Sequence, residues 1–133
     1  MFALIRRIFS YKFFPVCWTL LVIILLCLPG SMVPSTGIFT IPNLDKIVHI
    51  FLFGTNTLLW GWHYKQLYPA SHQLRQIILL DVILTVALGI ALEYVQGSGL
   101  ISHRTFEVND MIADAIGASI AGIWLLWRVE RPA

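Results

Sequence analysis

Three short clusters hold the residue types that could do chemistry: Asp45-Lys46-x-x-His49, Glu93-x-x-Gln96, and Arg104 followed by Asp110-x-x-x-Asp114. Each adjoins a long apolar run. On a helix, residues three or four apart share a face, so each group presents its polar atoms together. His49 is a candidate metal ligand, proton carrier or hydrogen-bonded structural group. Carboxylate oxygens suit Mg²⁺, Mn²⁺ or Ca²⁺, and an added imidazole admits Zn²⁺. His49, Glu93, Asp110 and Asp114 are therefore the candidate ligands of a divalent metal ion, and His49, Glu93 and Asp110 the candidate catalytic groups. Lys46 and Arg104 could hold a phosphate, since Arg pairs bidentately with such anions. Asp45, Lys46, His49, Glu93, Gln96, Arg104, Asp110 and Asp114 together form the candidate ligand-binding set. No H-E-x-x-H, nucleophile elbow or P-loop pattern is present, so no reaction is prescribed.

Each group also has a structural reading. Asp45 and Asp110 suit helix N-termini, where free N–H groups favour an anion. Arg104 could pair with Glu107 or Asp110 alone. Glu93 could join Lys46, Arg104 or His49 in an interhelical salt bridge of uncertain net worth. Asp81 reads as structural, pairing with Arg75 or Lys65. His49, Asn56 and His63, seven apart, form a polar stripe that should face other helices.

The elements that must position these residues are apolar helices. Of 133 residues, 58% are hydrophobic and 12% charged, and the mean hydropathy is +0.79. Soluble domains carry about 25% charged residues. The composition predicts a single-domain, all-α membrane protein: a polytopic bundle of four transmembrane helices at about 14–28, 47–62, 76–95 and 111–127. The first helix could extend back to Ile8 through Lys12. A basic start and an apolar stretch also fit a signal peptide, but no small-x-small cleavage site follows, and a retained helix is expected. Cys17 and Cys27 lie ten apart on that helix, beyond disulfide reach. Gly54, Gly89, Gly117 and Gly122 suggest close helix packing. Ionisable groups at membrane depth are costly, which makes the three clusters functional candidates.

Arg6, Arg7, Lys12, Lys65, Arg75, Arg128 and Arg131, seven of the nine basic residues, fall on one side of this arrangement. The positive-inside rule makes that side cytoplasmic, with both termini there. The outer connections are then Pro29 to Lys46 and Gly97 to Asp110, and all three clusters adjoin them. A net charge of +2 with scattered basic residues gives nucleic-acid binding no support.

At these same residues the chain resembles the VanZ-like family of bacterial membrane proteins. The resemblance runs from Leu28-Pro29-Gly30-Ser31 through Asp45-Lys46-x-x-His49, Glu93-x-x-Gln96 and Arg104 to Asp110-x-x-x-Asp114-x-x-Gly117-Ala118-x-x-Ala121-Gly122. The family commonly has Asn where this chain has Asp114. The resemblance implies a multi-pass protein of the bacterial cytoplasmic (inner) membrane with an outward polar site. Its namesake is associated with resistance to the glycopeptide teicoplanin. Two functional expectations follow. In one, the site binds an envelope lipid headgroup, a lipid-linked intermediate or a glycopeptide. In the other, a metal-assisted membrane enzyme acts on a lipid-linked or envelope substrate, the ion polarising a phosphoryl or acyl oxygen.

Overall fold

A computed structural model describes residues 13–69 and 72–130. It comprises α1 (Phe13–Leu26), α2 (Leu44–Leu67), α3 (His72–Gly97) and α4 (Val108–Glu130). Two short 3₁₀ turns, Gly30–Met32 and Gly37–Thr40, sit in the connection after α1. No strand occurs among the described residues. Arg6, Arg7, Arg131 and the expected extension of α1 through Ile8 and Lys12 lie outside the described residues.

The helix ends differ from expectation for physical reasons. α1 stops at Leu26 rather than Leu28, because a residue before proline disfavours helical backbone and Pro29 follows. The other three helices run longer than their apolar stretches. α2 begins at Leu44, after Asn43 in the left-handed conformation, and ends at Leu67. Asp45 and Lys46 are therefore first-turn residues. α4 begins at Val108, so Asp110 lies within its first turn instead of capping it. Charged residues ended the apolar runs without ending the helices, since both kinds of residue can complete the same backbone hydrogen bonds.

α3 and α4 are long and apolar enough to cross a membrane, while α1 is apolar but shorter. The side chains are distributed opposite to what water favours. Ile24, Ile83 and Ile123 are 58%, 63% and 68% exposed. Inside lie His49, Asn56, Thr57, Asp81, Thr85, Glu93, Gln96, Asp110 and Asp114, all buried. Two apolar clusters flank this polar interior: Val22, Leu26, Leu52, Phe53 and Leu92, and Leu74, Ile78 and Leu125.

α2 and α4 approach most closely. A Cβ on Gly54 would lie 3.2 Å from the Gly117 carbonyl oxygen, and one on Gly117 would overlap the Ile50 carbonyl. Backbone thus meets backbone, the packing that small residues permit. This contact sets the register between His49 on α2 and the aspartates one and two turns above Gly117 on α4.

Candidate functional site

The site lies where the first turns of α2 and α4 meet the last two turns of α3. Glu93, Asp114, His49 and Asp110 are 0%, 1%, 4% and 7% exposed. His49 Nδ1 is 2.7 Å from Asp114 Oδ1. An ionised carboxylate can only accept, so Nδ1 carries the hydrogen, and in the neutral imidazole Nε2 keeps its lone pair. Nε2 then faces Asp110 Oδ2 at 3.7 Å, beyond hydrogen-bond range. The His49 ring stacks on Phe53, 6.2 Å between centroids and 9° between planes, which further fixes its direction. Asp114 fits because α3 carries Gly89 opposite it; a Cβ there would collide with the Asp114 carboxylate.

Glu93 uses one oxygen as a cap for α4. Its Oε2 accepts the Glu107 backbone N–H at 3.1 Å, placing an anion at the positive end of that helix. Its Oε1 is buried with no hydrogen-bond partner among the described residues, as is Asp114 Oδ2. Single ligand atoms of His49, Glu93 and Asp110 lie within 4.8 Å of one another.

Lys46 closes the rim. Its Nζ is 2.6 Å from Asp45 Oδ2, 2.9 Å from Glu107 Oε2 and 3.0 Å from Asp110 Oδ1. Hydrogen bonds to Asp45 and Glu107 hold the ammonium's pKa well above its ordinary value. Partial burial pushes the Asp45 carboxyl up, but hydrogen bonds from the Lys46 side chain and backbone, with the ammonium charge, together outweigh it and leave Asp45 below its usual range. The Lys46 charge is thus already shared among three carboxylates.

The structure therefore brings Asp45, Lys46, His49, Glu93, Asp110 and Asp114 together. Gln96 and Arg104 are engaged elsewhere. Gln96 Nε2 donates to the Leu26 carbonyl at 2.8 Å, and Arg104 Nε donates to the Leu28 carbonyl at 3.0 Å. Both satisfy carbonyls that α1 leaves open at its C-terminal end. Glu107, expected as a partner for Arg104, instead reaches Lys46. Its signal was its place one turn before Asp110.

The polar stripe of α2 divides among separate neighbourhoods. Asn56 joins Thr19 and Thr85 in mid-bundle, while His63 packs against the Trp60 and Tyr64 rings. Asp81 does not pair with Arg75, which meets Glu130 at 3.2 Å near the surface. Asp81 takes a hydrogen bond from Thr85 instead, and its Oδ2 has no hydrogen-bond partner among the described residues. The cause is depth: Asp81 points into the bundle, whereas Arg75 is exposed at its edge. Cys17 and Cys27 are both free.

No known protein family matches the chain, and no solved structure matches it. An uncharacterized protein of Schizosaccharomyces pombe is 31% identical over 81 residues, covering 61% of this chain and 46% of the relative. The chain thus spans about half the length of this curated relative.

Proposed function

We propose that the chain is a four-span membrane protein of the VanZ-like kind, and that its outward polar site binds the headgroup of an envelope lipid or a related lipid-linked ligand. The observation that carries this reading is convergence: six ionisable side chains from three helices meet at one end of the bundle. Ionisable groups inside an apolar bundle are retained for a use more often than not. The apolar exterior suits lipid. Lys65, Arg75 and Arg128 lie at the other end of their helices, which supports a cytoplasmic placement for that end.

Topology has a direct test. With Cys17 and Cys27 replaced by Ala, a cysteine introduced at Ser98 should react with a membrane-impermeant maleimide in intact cells. One at Gln66 should react only after the membrane is opened. The reverse labelling would sink the orientation. For binding, the purified protein in detergent is mixed with phosphatidate and phosphatidylcholine and weighed by native mass spectrometry. Phosphatidate adducts should predominate and should fall in Lys46→Gln, which leaves Asp45, Glu107 and Asp110 at the rim without their cation. Equal adducts of both lipids, unchanged in that variant, would refute headgroup binding. A link to teicoplanin resistance requires that expression raise the inhibitory concentration of the drug and that His49→Ala not do so.

A further inference from the structure

The site carries too many acids for its bases. Asp45, Glu107 and Asp110 surround one ammonium, that of Lys46. This acidic group already holds its cation. Behind it, Glu93 and Asp114 have no lysine or arginine within ion-pair distance among the described residues, and each keeps a buried oxygen with no hydrogen-bond partner. A buried carboxylate without a partner is costly, and pairing or metal coordination relieves that cost.

We infer that His49 Nε2, Glu93 and Asp110 together bind one divalent cation, and that Asp114 is the positioning residue that holds the imidazole for it. The inference rests on the outward-site reading above and names what that site holds. The ligand atoms come from three helices and lie within 4.8 Å of one another. The 3.7 Å between His49 Nε2 and Asp110 Oδ2 is long for a hydrogen bond. It is close to the spacing of two ligands on one ion, about 3.0–3.4 Å when each sits about 2.1 Å from the metal. Glu93 Oε1 is the independent pointer: it is fully buried, unpartnered and belongs to this group.

The Asp114–His49 contact has the form that orients metal-bound histidines, a carboxylate accepting the N–H of the far ring nitrogen. One imidazole and two carboxylates favour Mn²⁺ or Zn²⁺ over Ca²⁺. Three protein ligands leave positions open, and phosphate oxygens of a headgroup could fill them. The cation would then supply the anion affinity that Lys46, shared among three carboxylates, is poorly placed to give.

The test uses the full chain, purified in detergent and stripped of metal with EDTA. Mn²⁺ and Zn²⁺ are titrated by calorimetry, and Mn²⁺ also by paramagnetic resonance. One ion per chain should bind. His49→Ala, Glu93→Gln and Asp110→Asn should each weaken it at least about 100-fold, whereas Asp45→Asn should change it only a few-fold. Asp114→Ala should weaken binding about 10–100-fold, and Asp114→Asn should restore most of it, since the amide oxygen can still accept from Nδ1. Mn²⁺ should raise the Tm of the wild type, which keeps the test valid for any ligand variant that folds less well. No binding of either ion at about 1 mM, or binding unchanged in His49→Ala and Asp110→Asn, would overturn the inference. Phosphatidate adducts that persist in EDTA would overturn its link to the headgroup while leaving headgroup binding intact. Metal binding without such adducts would sink the headgroup reading alone.

Discussion

The bundle buries polarity in two places, and they are built on different terms. At mid-depth the groups form a chain of hydrogen bonds, in which the one Thr19 hydroxyl hydrogen is offered to Asn56 or to the Pro15 carbonyl of its own helix. Trp60 Nε1 donates to Thr19 Oγ1 at 3.0 Å, Thr19 Oγ1 donates to Asn56 Oδ1 at 2.7 Å, and Asn56 Nδ2 donates to Thr85 Oγ1 at 3.2 Å. Thr85 then donates to Asp81. Hydroxyls, an amide and an indole answer one another across α1, α2 and α3 and end on the Asp81 carboxyl, leaving over its Oδ2 and, beside the chain, Thr57 Oγ1 among the described residues. At the end where α2 and α4 begin, the groups are mostly carboxylates. While ionised they cannot satisfy one another, because a carboxylate has nothing to donate. The lesson is that burial and polarity alone do not mark a site. The mark is a donor deficit: the mid-depth chain nearly closes, while the His49–Glu93–Asp110 cluster lacks a cation of its own.

Four changes should break or sharpen this contrast. The largest effect is expected from His49→Ala, which should lower Mn²⁺ affinity at least about 100-fold; because the buried Asp114 carboxylate loses its partner, stability in EDTA should also fall by about 1–3 kcal/mol. A stability loss of that size with Mn²⁺ affinity unchanged would mean that both regions are structural. Next, Gly117→Ala should disturb both at once, because its methyl would push the Ile50 carbonyl and separate α2 from α4. Overpacking of this kind costs about 1–3 kcal/mol, read as the shift in unfolding with added denaturing detergent. Unfolding that matches the wild type would show that the helices can slide apart freely. Third, Asn56→Ala removes two interhelical hydrogen bonds and should cost about 1–2 kcal/mol with metal affinity unaltered. A metal effect there would join the two regions into one network. The smallest change is expected from Arg75→Ala. It breaks an exposed ion pair with Glu130 worth less than about 1 kcal/mol and should leave both regions as they were. A drop in metal affinity would show that the far end of α3 governs the site.

Much of the outer cluster could be read from residue order. His49, Glu93, Asp110 and Asp114 stand at helical spacings inside apolar runs, and apolar helices of similar length bring such positions to one level. The Gly54–Gly117 contact was also foreshadowed, since small residues permit close packing. Other features depend on tertiary geometry that spacing does not carry. Glu107 sits in a connection, and its choice of Lys46 over Arg104 follows from where that loop turns. Gln96 and Arg104 carry the residue types of a ligand site yet serve as caps, because α1 happens to end beside them. Asp81 looked like the partner of Arg75, six positions away, but their depths in the bundle differ. Helix ends differ where polar and charged residues, most of them exposed such as Lys65, Arg75 and Arg128, prolong the helices past their apolar runs, and where Pro29 ends α1 early.

The fastening of α1 has a consequence for how the protein is made. Its last carbonyls, on Leu26 and Leu28, are met by side chains 70 and 76 residues later in the chain. Until Gln96 has been made, that end of the first helix has neither partner, and until Arg104 follows it has only one. Trp18 and Thr19 tie the middle of α1 to α2 earlier, but its C-terminal end can be fastened only when most of the polypeptide exists. A chain truncated before Gln96 should therefore leave that end of α1 loosely held and readily cross-linked to lipid or to the insertion machinery. One extended past Arg104 should not.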